Sequence, residues 1–175
     1  MILATGGLPP EPSRLRDPRA VKTWDVLSGK AKVDGNRIVV IGQGRVACET
    51  AEFLCRRKKK DVTIIHSGLR EDFGEDMEPI FERRLLLDRL EKSAVKIYHE
   101  TSVVDFNPEG ITAQGSHKGI IPCEQVVIDD FPIANRNPLK DLQGRITVMA
   151  IGDCAAPGDI YQAIHSGFEA GYRIS

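Results

Sequence analysis

The residues best placed to do chemistry form one short run, Gly42-Gln43-Gly44-Arg45-Val46-Ala47. It follows the apolar stretch Ile38-Val39-Val40-Ile41 and opens a segment with a largely apolar face made of Val46, Ala47, Thr50, Ala51, Phe53 and Leu54. Between a buried strand and a helix, a G-x-G-x-x-A run is a phosphate cradle. The first glycine permits the tight turn, and the second lets a pyrophosphate approach the backbone. Ala47 is small enough for close packing of helix on strand. Backbone N–H groups of the first helical turn and the positive end of the helix dipole then face the phosphates. The plain alternative is a tight turn with no ligand. The chemistry expected is binding of a dinucleotide or a mononucleotide.

Such a turn works only if flanking elements hold it. Ile38–Ile41, a continuous apolar run, reads as a parallel strand buried on both faces, and Asp61–Ile65 as a second buried strand. Pro79 suits the first turn of a helix carrying Ile80, Leu85, Leu86, Leu87 and Leu90. Val95–Tyr98 reads as a third strand, and 101–121 as a short antiparallel meander around the Asn107-Pro108-Glu109-Gly110 turn. Gln125–Ile128 returns to a buried strand. The fold expected is α/β, a Rossmann-like parallel sheet with helices on both faces plus an antiparallel β-meander. Around it, Met1–Gly7 reads as the end of a strand with a glycine turn, and Leu8–Arg19, with Pro9, Pro10, Pro12 and Pro18, as a loop. Val21–Leu27 reads as a short helix, Arg136–Asp141 as a turn, Arg145–Ile151 as a strand and Ile160–Ile174 as a terminal helix. These readings divide the chain into segments 1–20, 21–144 and 145–175.

Composition narrows the class. Of 175 residues, 41% are hydrophobic and 28% charged, the balance of a soluble globular protein, and a formal net charge of −1 gives no pull toward nucleic acid. No apolar run approaches the roughly 20 residues that span a bilayer. The opening has neither the basic nor the apolar region of a secretory signal. Cys48, Cys55, Cys123 and Cys154 form no C-x-x-C pair, so they read as packing residues in a reducing cytoplasm rather than a disulfide, zinc or dithiol centre. The basic run Arg56–Lys60 ends a helix, where cations suit the dipole, and is read that way rather than as a nucleic-acid patch. His165 reads as a packing or capping residue of the terminal helix.

Glu49 and Ala51 extend the glycine run to G-x-G-x-x-A-x-E-x-A. In this form it resembles the NAD(P)H domain of the two-dinucleotide flavoproteins, the pyridine nucleotide–disulfide oxidoreductase superfamily. In that family the NAD(P)H domain is inserted into an FAD domain, so the resemblance implies partial FAD-domain segments on both sides. Ile2-Leu3-Ala4-Thr5-Gly6 is similar to the family's A-T-G strand, and Val148–Asp153 to its late G-D motif, whose Asp contacts the flavin. Thr5, Gly6, Gly152 and Asp153 are thereby implied on the FAD side. Gly152-Asp153-Cys154 with Ile160–Phe168 further resembles the 2,4-dienoyl-CoA reductase, 2-enoate reductase and trimethylamine dehydrogenase group. Those proteins join this unit to an Old Yellow Enzyme-like barrel and an iron–sulfur cluster. The implied activity is hydride transfer from NAD(P)H to FAD, with the isolated chain inactive. Catalytic acid or base residues are not required of it, because the cofactors carry the hydride chemistry.

Within this frame Gly42, Gln43, Gly44, Arg45, Val46 and Ala47 hold the pyrophosphate. Glu49 contacts ribose or nicotinamide, or else serves only as a helix-start carboxylate. An NAD site expects an acid at the end of the second strand, about 20 residues after the glycines. That strand ends instead in Ile65-His66-Ser67-Gly68-Leu69-Arg70. His66, Ser67 and Arg70 suit a 2′-phosphate, and a charge-assisted bond of roughly 1.5–3 kcal/mol would favour NADPH by about 10- to 100-fold. Against this, Arg70 reads equally as a solvated cation, and Glu71 stands close enough to be the missing acid. NADP(H) is favoured over NAD(H). One stretch departs from the family: Val127-Ile128-Asp129-Asp130-Phe131-Pro132 places two carboxylates where an apolar strand end is usual. They either crowd a hydride donor or cap a rearranged loop. This departure motivates a second reading, a non-catalytic module that holds an adenine nucleotide such as ADP. A third is self-association through surfaces that the parent chain would cover.

Overall fold

Ile38, Val39 and Val40 are all buried to within 1% of full burial, although their side chains point to opposite sides of one strand. A strand that reads apolar at every position needs cover on both faces, and the computed structural model supplies it with two different layers. It describes residues 1–8, 17–129, 131–142 and 144–174. Pro9, Pro10 and Pro12 of the expected loop, and Asp130, lie outside the described residues. In chain order the strands and helices begin with β1 (Ile2–Leu3), β2 (Gly7–Leu8), β3 (Ala20–Lys22), α1 (Thr23–Leu27), β4 (Arg37–Ile41) and α2 (Arg45–Lys58). β5 (Asp61–Ile65), α3 (Arg84–Lys92), β6 (Lys96–Tyr98), β7 (Thr101–Asn107), β8 (Gly110–Gly115), β9 (Gly119–Pro122) and β10 (Gln125–Ile128) follow. β11 (Ile133–Ala134), α4 (Asn137–Leu142), β12 (Met149–Ala150) and α5 (Ile160–Tyr172) complete the series.

Packing divides the chain into two units, Pro12–Asp129 and the pair Met1–Glu11 with Asp130–Ser175. The larger unit carries a five-stranded sheet in the order β3-β10-β4-β5-β6, with every neighbouring pair parallel. Ile38 and Val40 face a core with Val26 of α1, Ala47, Cys48, Ala51 and Leu54 of α2, and Leu86 and Leu90 of α3. Val39 faces the other core with Ile111 and Ala113 of β8 and Ile121 of β9. The fold class is α/β as expected, with the parallel sheet and the meander both present. The helices differ in placement. Expected on both faces, they pack on one, and the antiparallel sheet β7-β8-β9 covers the other. The sheet needs only an apolar cover, and the inward residues of the meander provide it.

Other differences are local. Val21 and Lys22, read as helix, extend as β3 because β10 offers an unpaired parallel edge: Val127 and Ile128 pair with Val21 and Lys22. The boundaries drawn at 20/21 and 144/145 therefore sit differently from the packing division. β3 joins the central sheet, whereas β11 pairs antiparallel with β2 and so goes with the other unit. The turn read at 136–141 is the short helix α4, and the strand read at 145–151 is reduced to the two residues of β12. Ahead of α3, Glu78 caps a wider turn, Pro79–Arg83, by accepting from the N–H groups of Ile80 and Phe81 at 3.0 and 2.8 Å. Of the apolar residues in this stretch, Ile80 and Leu85 are exposed, while Leu86 and Leu90 are buried. Arg56, in the last turn of α2, pairs with Glu52 at 2.7 Å, as a helix-surface cation does. No described helix is long and apolar enough to cross a membrane. The four cysteines are free, and burial first of all pushes the Cys48 thiol up to about 12.

In the smaller unit β1 pairs parallel with β12 (Ile2 with Met149, Leu3 with Ala150) and the chain passes from β12 through a turn of 3-10 helix into α5. Asp159 caps α5, accepting from the N–H of Gln162 at 2.8 Å, while the Gln162 side chain returns the bond to the N–H of Asp159.

If the helix-side core holds the sheet, Leu54→Ala should lower unfolding stability by about 2–5 kcal/mol. Ile120→Ala, at an exposed meander position, should cost no more than about 0.5 kcal/mol. Urea denaturation of both variants checks the contrast, and near-equal losses would contradict the packing described.

Candidate dinucleotide-binding site

Strand order reverses at β4. From β4 the chain moves outward through α2 to β5 and through α3 to β6, then returns by the meander to β10 on the other side of β4. In open parallel sheets such a reversal leaves a crevice at the carboxyl ends of the strands. Gly42 follows β4 at this edge, Asp129 follows β10, and His66 follows β5.

The backbone of the turn is pinned from both sides. The Gly42 N–H donates to Ile65 O at 3.1 Å, and the Asp129 N–H donates to Ile41 O at 2.8 Å. A Cβ on Gly42 would lie 2.6 Å from the Cβ of Asp129 and 2.9 Å from that of Ala47, so a side chain is excluded there. Gly44 is the residue before α2, with extended backbone, and a Cβ on it would lie 2.9 Å from Asp76 Oδ2. Thus the first glycine is needed for the turn, and the second opens space at the helix start. Ala47 is fully buried, as expected for the residue that seats helix on strand.

Oxygen anions already stand at the N-terminus of α2. Both Asp76 oxygens lie 2.9 Å from the Arg45 N–H. Asp129 Oδ2 accepts from the Ala47 N–H at 3.2 Å, and its Oδ1 accepts from the buried Thr23 hydroxyl at 3.0 Å. Asp129, one of the two carboxylates of this departure, thus stands at the start of α2. The Arg45 guanidinium turns to Glu82, with two contacts of 2.7 Å. Asp76, Glu82 and Thr23 carry no motif that marks them in the sequence. Their role arises because the stretch after β5 folds back over the turn, where the Gly74 N–H donates to Gln43 O at 2.8 Å.

The second cluster lies after β5. His66 is 4% exposed, and its Nε2 stands 2.6 Å from Nδ1 of His99. Its ring packs on Phe73 at 4.8 Å between centroids. Burial first, then the neighbouring His99, brings the His66 pKa down to about 4, with Asp72 opposing weakly. Burial and then the Arg70 charge also lower that of His99. With a pKa of about 4 the buried His66 ring is neutral at pH 7. Ser67 and Arg70 are exposed on the loop, and Glu49 is exposed one helical turn into α2. Gln43 links the clusters, since a Cβ on Gly68 would lie 3.0 Å from Gln43 Oε1 and 3.4 Å from His66 Nδ1. That Nδ1 is buried with no hydrogen-bond partner among the described residues.

The residues present fit a nucleotide. A turn cleared of side chains and a helix N-terminus that draws oxygen anions are the features such a ligand uses. Among the described residues no group of His, Cys, Asp and Glu side chains gathers to hold a metal ion.

The other expected residues lie in the smaller unit. Thr5 Oγ1 donates to Asn135 O at 2.9 Å, and the Asn135 N–H donates to Gly6 O at 3.1 Å. The Gly152 N–H donates to Ser166 Oγ at 2.9 Å, and Asp153 Oδ1 accepts from the Gly158 N–H at 3.2 Å. A Cβ on Gly7 would lie 3.6 Å from that of Asp153. The pairing of β1 with β12 therefore gathers Thr5, Gly6, Gly152 and Asp153 within one unit.

Fold and turn together define a Rossmann-like α/β protein. A profile of the pyridine nucleotide-disulphide oxidoreductase family matches residues 1–170, and the chain belongs to that family of oxidoreductases. It is 35% identical over 185 aligned residues to the NADH oxidase of Thermoanaerobacter brockii, covering 99% of this chain and 28% of that protein. It is 25% identical over 202 aligned residues to the metal reductase of Desulforamulus reducens, covering 96% of this chain and 29% of that protein. Among solved structures, 2-naphthoyl-CoA reductase superposes with a TM-score of 0.81 at 26% identity, over 97% of this chain and 26% of that one. The chain thus spans less than a third of the length of each of these relatives. Family membership implies use of FAD and a nicotinamide dinucleotide.

The depressed His66 pKa has a consequence for folding. An unfolded histidine takes a proton near 6.5, whereas the folded ring resists it down to about 4. Stability should therefore be fully present above about 6.5, and should fall as pH drops from there toward 4. Urea midpoints across that range should show the decline, and His66→Asn should flatten it. An unchanged slope in the variant would assign the decline to other groups.

Proposed function

We propose that residues 17–129 bind NAD(P)H and orient it for hydride transfer to an FAD held by the rest of a longer parent protein. The observation that carries this reading is the glycine turn at the reversal of strand order, whose helix N-terminus already gathers carboxylate oxygens. The backbone of Gly42, Gln43, Gly44, Arg45, Val46 and Ala47 takes the pyrophosphate. Glu49, one turn along α2, reaches ribose or nicotinamide. Ser67 and Arg70 face the adenosine ribose, and His66 supports their loop from below as a neutral ring. The bound nicotinamide supplies the hydride, while these residues hold and orient it.

Thr5, Gly6, Gly152 and Asp153 belong to the flavin side in this reading. The finer placement is with the 2,4-dienoyl-CoA reductase group, whose members add an Old Yellow Enzyme-like barrel. The likeness to 2-naphthoyl-CoA reductase supports it, as does the small share of each relative that this chain spans. Arg70 favours NADP(H), since His66 contributes no charge; the relative named NADH oxidase pulls the other way.

Calorimetric titration with NADPH, NADH and ADP tests the proposal. NADPH should bind more tightly than ADP. Arg70→Ala should weaken NADPH by at least about threefold and leave NADH unchanged, a modest effect because the guanidinium is exposed. ADP binding as tightly as either reduced cofactor would replace this reading with an adenine-nucleotide holding module.

A further inference from the structure

The N–H groups that a pyrophosphate would use are already engaged by the protein's own carboxylates, and the two are not equally held. Asp129 is fixed: one oxygen accepts from Ala47 and the other from the buried Thr23 hydroxyl. Asp76 is exposed, and the bonds recorded for its carboxylate both come from the Arg45 N–H at 2.9 Å. Its oxygens also occupy the space opened by the missing Cβ of Gly44, where a ligand phosphate would come closest to the backbone.

The backbone around Asp76 is anchored. Phe73 and Met77 are buried in the helix-side core, and the Gly74 N–H is tied to Gln43 O. Release of the Arg45 N–H therefore needs no opening of the loop. A rotation of the Asp76 side chain toward solvent clears the space beside Gly44 and leaves Phe73 and Met77 in place.

We propose that Asp76 is an exchangeable internal stand-in for a ligand phosphate, and that the Asp76 carboxylate at the Arg45 N–H sets the affinity of this turn for phosphate-bearing nucleotides. Without ligand it caps α2 and satisfies an N–H that the helix cannot. With ligand it must leave that N–H, and its charge opposes the arriving phosphate until it does. Asp76 is thus an affinity-determining residue, acting through the helix start and not through contact with the reacting atoms. The inference rests on the nucleotide-binding reading above.

The test compares ADP, inorganic pyrophosphate and adenosine as probes of the unaltered chain, Asp76→Asn and Asp76→Ala, all by calorimetry. Both variants should bind ADP and pyrophosphate about two- to fivefold more tightly, the worth of one exposed charge at a helix N-terminus. Adenosine, which has no phosphate, should bind all three alike. ADP affinity that is unchanged or weaker in both variants overturns the proposal while leaving the nucleotide reading intact. If neither the unaltered chain nor the variants bind ADP or pyrophosphate, the two fall together. An NMR titration of the unaltered chain with ADP needs no variant to fold. The Asp76 carboxylate and Arg45 amide resonances should shift together, and a stationary Asp76 signal under saturating ADP overturns the exchange.

Discussion

The architecture of the larger unit depends on β4 being hydrogen-bonded along both edges while its side chains alternate between two apolar layers. β10 and β5 flank it in parallel register, so its backbone groups are satisfied without water. Because Ile38 and Val40 go to the helices and Val39 to the meander, the strand cannot slip by one residue without exchanging its two cores. Where such a strand ends is therefore well defined, and so is the position of Gly42. The Gly42 bond to Ile65 and the Asp129 bond to Ile41 continue the ladder one residue past each strand, and this carries the rigidity of the sheet into the site.

A helix that starts at such an edge brings a partial positive charge and unpaired N–H groups into a crevice. Some oxygen must meet them. Here Asp129 and Asp76 meet two of them, one from a strand end and one from a loop on the other side of the turn. Glu82 likewise accompanies the Arg45 guanidinium. The helix start thus draws oxygen anions, and here the protein's own side chains supply them.

The region after β5 follows a different logic. A histidine at a strand end would ordinarily be a surface group, free to take a proton. Phe73, His99 and the loop enclose His66, so the neutral form is the one that folds. Ser67 and Arg70 stay exposed on the loop that follows.

Much of the fold was legible from residue order. The unbroken apolar run at 38–41 and the largely apolar stretches at 61–65 and 125–128 mark parallel strands, and the glycine turn with Ala47 marks the junction of strand and helix. Periodicity over 101–121 marks the meander. All of these are local signals, written within a few residues of the element they describe. Tertiary structure alone decided which layer covers each sheet face, because an apolar strand carries no sign of whether helix or meander will cover it. It also turned Val21 and Lys22 into a strand, since the partner that makes them one is β10, about a hundred residues away in the chain. The contacts of Asp76, Asp129 and His66 were fixed the same way. A carboxylate or an imidazole has no intrinsic site chemistry until packing fixes its distance to an N–H group and its access to water.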